Sequence, residues 1–150
     1  DTVNWFKSGK NHVLMGLKTF WEGVDIPGDT LRLVVIPRLP FPNRADILLG
    51  ARKEVYINAQ VRNGVAQKTA EIRSWEAFDL QEAVMDLKQG GGRLIRTEDD
   101  RGVVALLDLR AHAKTKAYAS RVRGSLPHPH LADKAMVLNI LRALGAQAIA

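Results

Sequence analysis

Hydrophobic residues along this chain of 150 residues fall into short runs that alternate with longer amphipathic stretches. Three runs, at residues 12–18, 30–39 and 102–110, have the composition typical of buried β-strands. Pro37 and Pro40 are expected to end the second strand. The third run shows no alternation, which indicates burial on both faces. Strands that alternate with helices predict an α/β fold in which helices flank a parallel sheet.

Apolar residues at helical spacing predict a helix after the second strand. Asn43 is placed to cap this helix, and Asn63 with Gly64 is placed to end it. The buried stripe of the helix is expected to consist of Ile47, Leu48, Ala51, Val55 and Ala59. Residues 65–76 fit either a helix or a loop, so the pattern leaves this stretch open.

A second amphipathic stripe predicts a helix that runs directly into three glycines, Gly90–Gly92. The stripe consists of Leu80, Ala83, Val84 and Leu87. Further along, residues 113–123 suit a basic helix, and residues 131–144 suit a closing, mostly apolar helix.

Three strands are few for a parallel sheet, because sheets hold roughly five or six strands on average. We therefore expect residues 1–150 to form the C-terminal part of one domain in a larger protein, with further strands of the sheet upstream. An incomplete sheet leaves strand edges with unpaired N–H and C=O groups, which recruit other chains. The isolated chain is thus expected to self-associate.

Composition narrows the possible chemistry. The chain has no cysteine, which excludes a disulfide framework, a thiolate zinc site and a cysteine nucleophile. Its four histidines form no metal-ligand pattern, so no metal site is assigned. No apolar run approaches membrane-spanning length, and the start of the chain does not resemble a signal peptide. A net charge of +6 favours an anionic partner, although the same charge also serves solubility.

The basic residues are segregated along the chain. No acidic residue lies between Leu109 and Ala132, and none lies between Val3 and Trp21. The basic residues of these two stretches are Arg110, Lys114, Lys116, Arg121 and Arg123, and Lys7, Lys10 and Lys18. Solvated helix faces and binding to a phosphate backbone both explain this segregation.

Two common phosphate-binding patterns do not fit the glycines. A P-loop requires two glycines around four residues, followed by lysine and a hydroxyl residue. Around Gly9 and Lys10, asparagines replace the first glycine and the hydroxyl residue. A dinucleotide fingerprint requires its glycines after a strand, whereas Gly90 and Gly92 follow a predicted helix.

A pattern with the spacing Q-x-x-G-R-x-x-R remains. Its members are Gln89, Gly92, Arg93 and Arg96. On a helix the two arginines lie on one face, and guanidinium groups suit phosphate oxygens. Each helical glycine costs about 0.8–1 kcal/mol relative to alanine, a cost that a close backbone approach would explain. A helix end with ion pairs to Glu98, Asp99 and Asp100 explains the same residues, and spacing alone leaves both interpretations open.

Two segments resemble motifs of superfamily 2 DNA helicases of the DinG/XPD-like group. The segment GLKTFWEGVDIPGDTLRLVVIPRLPF, at residues 16–41, resembles motif V and the following strand. The segment QGGGRLIRTEDDRGVVALLDLR, at residues 89–110, resembles motif VI. Two long motifs in the right order make this resemblance specific. Residues 50–79 carry no signature of the group.

The resemblance implies the second RecA-like lobe of an ATP-dependent, 5′-to-3′ DNA helicase active in DNA repair. ATP and Mg²⁺ would lie between two lobes and be bound mainly by the first lobe. Partners would be single-stranded DNA and the first lobe of the same protein, in the cytoplasm at the nucleoid. An iron–sulfur cluster, found in many relatives, would use cysteines of the other lobe.

The resemblance also implies roles for single residues. Gln89, Arg93 and Arg96 match motif VI positions that face the triphosphate, with Arg96 as the arginine finger. The implied nucleotide contacts of motif V and the glycine run are Glu22, Gly23, Asp25 and Gly92. The implied DNA contacts are Lys18, Thr19, Phe20, Trp21, Arg38 and Phe41, with Arg44 beside them.

The chain itself has no P-loop lysine and no acidic Mg²⁺ motif, so it is expected not to turn over ATP alone. The alternative is a non-catalytic nucleic-acid-binding module that keeps the fold of a helicase lobe. The FWEGVD and Q-x-x-G-R-x-x-R groups would then be relics or structural. Independently of that alternative, aromatic residues such as Phe20 and Trp21 are more often core residues than stacking platforms for bases. A P-loop upstream of Asp1 would favour the helicase.

Overall fold

The computed structural model describes residues 1–9, 11–18, 23, 26, 30–94, 101–126, 129–131 and 133–146. Its helices are α1 (Thr2–Ser8), α2 (Ile47–Arg62), α3 (Gln67–Trp75), α4 (Gln81–Gly92), α5 (Ala119–Gly124) and α6 (Lys134–Ala146). Its strands are β1 (Leu33–Ile36) and β2 (Val103–Leu106), and two shorter turns are π-helical at Glu76–Leu80 and 3₁₀-helical at Leu109–Ala111. The chain divides into two compact units, which we call the strand unit (Asp1–Arg38 and Lys88–Ala150) and the helical unit (Leu39–Leu87).

The strand unit is built on a parallel pair of strands. β1 pairs with β2 in the register Leu33 to Val103 through Ile36 to Leu106. The backbone of Val103 donates a hydrogen bond to the carbonyl of Arg32 at 2.9 Å, which begins the ladder. Both strands lie inside the runs predicted from the sequence, although each is only four residues long. The α/β class is therefore confirmed, but the described residues form a two-stranded sheet rather than a full RecA-like one.

The predicted strand at residues 12–18 is wrong. Residues 12–17 have no regular secondary structure, and Lys18 lies in a turn. Met15 is 89% exposed, and Val13 and Leu17 are also exposed. An extended segment becomes a strand only when a neighbour satisfies its backbone groups, and no described strand lies beside this one. Burial on both faces is likewise not observed for β2, whose four residues are only half-buried.

The helical unit begins with α2, whose cap and buried face both differ from the prediction. The Asp46 carboxylate caps the helix by accepting from the backbone of Leu49 at 2.9 Å, whereas Asn43 caps only the preceding turn. The predicted stripe is exposed, with Ile47 at 88%. The side that turns inward instead consists of Leu49, Lys53, Tyr56, Ile57 and Gln60. This side of α2 is half-buried because it packs against α3 and the following turn. There the ring of Phe78 contacts the ring of Tyr56 edge-on, with 5.6 Å between the centroids.

The predicted end of α2 is confirmed. Asn63 caps the helix, and Gly64 adopts a φ of 83°, a conformation that glycine reaches without strain. The chain is then helical without a break from Gln67 to Gly92, and within this range only Glu76–Leu80 is π-helical rather than α-helical. The open stretch at residues 65–76 is thus mostly helix. The second predicted stripe is confirmed, since Leu80, Ala83, Val84 and Leu87 are all buried.

The closing part of the strand unit is partly as predicted. Only Ala119–Gly124 of the expected basic helix is helical, and the residues before it form turns. The closing helix α6 runs from Lys134 to Ala146, close to its predicted range. The side chain of Arg32, just before β1, donates to the carbonyl of Leu144 at 2.6 Å. This bond satisfies one of the carbonyls that a helix leaves unpaired at its C-terminus.

Candidate functional site

Gln89, Gly92 and Arg93 of the Q-x-x-G-R-x-x-R pattern lie at the C-terminal end of α4. Gln89 is exposed in the last turn, Gly92 is the last helical residue, and Arg93 follows it half-buried. Gln89 lies in the last helical turn and Arg93 in the turn that follows it, where the backbone N–H of Arg93 donates to the carbonyl of Gly90 at 3.4 Å. Arg96 lies outside the described residues. The structure thus brings together the first half of the pattern, in a place where an amide and a guanidinium can both donate hydrogen bonds.

The three glycines do not stop the helix, which continues through Gly92. Gly91 explains why a glycine is useful there, because a Cβ at this position would lie 2.9 Å from Cδ2 of Leu126 and 3.9 Å from Cγ2 of Val104 in β2. The end of α4 therefore approaches β2 and the end of α5 closely. A Cβ at Gly92 would meet no atom of the described residues within 4 Å. Packing accounts for Gly91 but does not account for Gly92.

Gly102, just before β2, is packed against backbone. A Cβ there would lie 2.7 Å from the carbonyl oxygen of Arg32 and 2.6 Å from Cδ1 of Leu94. That carbonyl is held by the first hydrogen bond of the sheet and cannot move without breaking it. We expect Gly102→Ala to lower the free energy of unfolding by about 1–3 kcal/mol, as overpacking does. Urea denaturation would measure it, with Gly92→Ala as the control, which is expected to be neutral or to stabilise the helix by at most about 1 kcal/mol. Equal stability of the two variants would contradict this account.

The residues matched to motif V and the DNA path are described only in part. Gly23 and Lys18 are exposed, whereas Thr19, Phe20, Trp21, Glu22 and Asp25 lie outside the described residues. Arg38 is exposed after β1 and belongs to the strand unit. Phe41 belongs to the helical unit, where its ring lies 5.7 Å from that of Trp75 at an angle of 40°.

The acid-free stretch after Leu109 is only partly available for an anionic ligand. Arg110 makes a bidentate ion pair with the buried Asp108, with its Nη2 at 2.6 Å from Oδ2 and its Nε at 3.0 Å from Oδ1. This hydrogen bonding raises the pKa of Arg110 above its usual value. Arg123 donates to the carbonyl of Ala111 at 2.7 Å. Both arginines stabilise the turn after β2, so the stretch offers fewer cations to a ligand than its sequence suggests.

The helical unit contains a cleft that the sequence did not predict. It has a volume of about 590 Å³, and its lining includes Lys53 of α2, Trp75 of α3 and Asp79 of the π-helical turn. The ammonium of Lys53 lies 2.6 Å from Oδ2 of Asp79, and the two side chains are 27% and 7% exposed. The two residues are 26 positions apart, and no sequence pattern signals their pairing, because it depends on how α2 packs against α3.

The described residues show neither a metal-binding cluster nor a membrane-spanning helix. No group of three or more histidine or acidic side chains is arranged to hold a metal ion in the part of the chain that is described. No helix within those residues is long and apolar enough to cross a membrane.

Comparisons with known proteins identify the family of the chain and several relatives. The sequence profile of the helicase C-terminal domain matches residues 1–129. The chain is 40% identical to the ATP-dependent DNA helicase YoaA of Escherichia coli K12 over 137 residues, which is 91% of this chain and 20% of that protein. It is 42% identical to the ATP-dependent helicase DinG of Mycobacterium tuberculosis over 114 residues, or 76% of this chain and 15% of that protein.

A third relative is named for a different activity. The 3′-5′ exonuclease DinG of Bacillus subtilis is 37% identical over 122 residues, which is 81% of this chain and 12% of that protein. The chain spans a fifth or less of the length of each of these three relatives. No solved structure matches the chain.

Proposed function

The chain belongs to the helicase C-terminal domain family, and from this we propose that it is the C-terminal lobe of an ATP-dependent, 5′-to-3′ DNA helicase of the DinG type. The match to the family over residues 1–129 carries the proposal, and relatives named as ATP-dependent DNA helicases support it. The intact protein is the enzyme in this proposal. The isolated chain, with no P-loop pattern in its sequence, binds the nucleotide only as one side of a shared site.

The end of α4 supplies the nucleotide-facing side of this lobe. Gln89 and Arg93 carry N–H groups that fit the oxygens of a triphosphate, and they lie in the last helical turn and just beyond it. Arg96 is the arginine finger, which neutralises charge that develops on the phosphate in the transition state. Gly92 leaves space for the nucleotide, since among the described residues a Cβ there meets nothing within 4 Å. Glu22, Gly23 and Asp25 connect the nucleotide to the DNA path.

ATP would supply the phosphoryl group, and Mg²⁺ would neutralise part of the charge of the phosphates. Both would be bound mostly by the other lobe of the protein. This chain contributes hydrogen-bond donors and permanent positive charge. An iron–sulfur cluster, if the intact protein has one, takes its ligands from elsewhere, because this chain has no cysteine. Self-association of the isolated chain stays a prediction.

Single-stranded DNA is the proposed macromolecular partner. Lys18 and Arg38 are exposed cations near the two ends of the segment at residues 16–41 that resembles motif V and the following strand. Binding through phosphates releases counterions, so affinity is expected to fall steeply with salt and to show no sequence preference. Replacing both residues by alanine is expected to make the dependence of log affinity on log salt shallower by roughly one unit per lost contact.

Fluorescence anisotropy of a labelled oligonucleotide at several salt concentrations would measure this slope. The matched control is the double variant Arg62→Ala and Lys68→Ala, which removes two exposed cations from the helical unit. Its slope is expected to equal that of the unmodified chain. An unchanged slope for the Lys18 and Arg38 variant would remove these two residues from the DNA path, and strong preference for one sequence would argue against a helicase lobe.

A further inference from the structure

Most residues that line the cleft of the helical unit lie within residues 50–79, the segment that carries no motif of the helicase group. Its volume of about 590 Å³ falls within the range of roughly 300–1,000 Å³ that is usual for sites of small organic ligands. α2 and α3 form its walls, and the π-helical turn contributes Asp79. π-helical turns are rare and occur frequently at functional sites. The cleft is therefore a candidate binding site rather than a gap between helices.

The ion pair inside the cleft gives it a fixed polar surface. Asp79 is almost fully buried and holds the ammonium of Lys53 at 2.6 Å. An ammonium has three N–H donors, and this contact uses one of them. Lys53 remains 27% exposed, so it can still donate to a ligand in the cleft. Because the pair is neutral, it offers hydrogen bonds without attracting a run of phosphates.

An aromatic wall faces the same space. Trp75 lines the cleft, and the ring of Phe41 braces its indole at 5.7 Å between centroids. An indole held in place by a second ring is a good platform for stacking a nucleobase. Arg44 and Asn58, both exposed, line the cleft as well. A guanidinium suits one phosphate group, and a carboxamide suits the hydrogen-bonding edge of a base.

The charges that line the cleft favour one nucleotide within a strand over a free nucleoside triphosphate. Glu54 and Asp79 line the cleft alongside Arg44 and Lys53, so acidic and basic side chains balance. A free triphosphate would bring several negative charges beside two carboxylates, which is unfavourable. A single nucleotide within a strand brings one phosphate and one base, which matches one arginine and one indole.

We propose that this cleft binds one nucleotide of single-stranded DNA, with its base stacked on Trp75 and its phosphate at Arg44. The inference rests on the proposed DNA-binding function. It extends the path of the DNA strand from Arg44, which the resemblance places beside the DNA, to Trp75, in a segment that the resemblance leaves unassigned. Base stacking tolerates every sequence, because each base has a π-face. The cleft would thus hold the strand without selecting a sequence.

The test compares two fluorescent probes, an oligothymidylate and an abasic oligonucleotide of equal length. The unmodified chain is expected to bind the oligothymidylate more tightly. Trp75→Leu is expected to weaken that binding about tenfold to a hundredfold, the effect of losing one stacked base, and to leave the abasic probe unaffected. Trp5→Leu is the matched control, since Trp5 is an exposed tryptophan outside the cleft, and it should change neither affinity.

A second pair of variants decides the question if Trp75→Leu does not fold. Arg44→Gln changes an exposed cation of the cleft, and Arg52→Gln makes the same change at an exposed position that does not line it. Arg44→Gln is expected to weaken both probes by about threefold to tenfold, as loss of one phosphate contact does, and Arg52→Gln to have no such effect.

Each outcome separates this inference from the function on which it rests. If the unmodified chain binds the oligothymidylate but Trp75→Leu binds it equally well, the cleft is not part of the path and DNA binding stands. Equal affinities of the Arg44 and Arg52 variants would overturn the inference in the same way. If the unmodified chain binds neither probe, the proposed DNA-binding function fails and this inference fails with it.

Discussion

Replacing Arg96 by alanine in the intact protein is expected to lower ATP hydrolysis about a thousandfold, the lower range of the effect of an arginine finger. An arginine finger stabilises charge on the transferred phosphate in the transition state more than in the ground state, so the loss is expected in kcat. ATP affinity is expected to change little, because in the proposed arrangement the other lobe holds most of the nucleotide. Steady-state hydrolysis in the presence of single-stranded DNA would measure the first effect, and binding of a fluorescent ATP analogue would measure the second.

Arg101→Ala is the matched control for this experiment. Arg101 is an exposed arginine five positions further along the chain, without an assigned role. Its replacement is expected to leave hydrolysis unchanged. The isolated chain serves as a blank, since it is expected to show no hydrolysis. Normal turnover of the Arg96 variant would remove that residue from the mechanism, and robust hydrolysis by the isolated chain would refute a site shared between two lobes.

Replacing Lys53 by alanine is expected to lower the free energy of unfolding by about 3 kcal/mol, the cost of leaving a buried charge unpaired. Asp79 is 7% exposed and lies 2.6 Å from the Lys53 ammonium, so water cannot readily replace that partner. Denaturation by urea at low protein concentration would measure the loss. Lys68→Ala removes an exposed lysine of α3 and is expected to change stability by less than about 0.5 kcal/mol.

The double variant Lys53→Met with Asp79→Leu separates the charge from the packing. Apolar residues of similar size in place of a buried ion pair are often neutral or stabilising. The double variant is therefore expected to recover most of the stability lost by Lys53→Ala. If it is as unstable as the single variant, packing of the long side chains, rather than the unpaired carboxylate, explains the loss.

Local signals predicted the elements that depend on a few neighbouring residues. The strands around Leu33 and Val103 follow from apolar runs, and the end of α2 follows from the conformational freedom of Gly64. The buried stripe from Leu80 to Leu87 follows from helical spacing. In each case the information lies within one turn or one strand of chain, which is what a sequence pattern records.

Features that depend on distant partners were not predicted. Residues 12–18 are apolar enough for a strand, but a strand also requires a neighbour. α2 has apolar residues on two sides, and contact with the helix carrying Phe78 decided which side is half-buried. The pairing of Lys53 with Asp79 likewise exists only after α2 and α3 pack. The assigned roles of Gln89 and Arg93 came from family resemblance, and the structure adds their shared position at the end of a helix.

The parallel pairing of β1 with β2 has a consequence for the order of folding. Leu33 must find Val103 across an intervening stretch that contains the whole helical unit. Closing so long a loop costs chain entropy before any strand contact compensates for it, whereas the contacts of α2 with α3 join residues close in sequence. The pair of helices α2 and α3 is therefore expected to form early and the sheet late. The slow phase of refolding would then correspond to the pairing of β1 with β2.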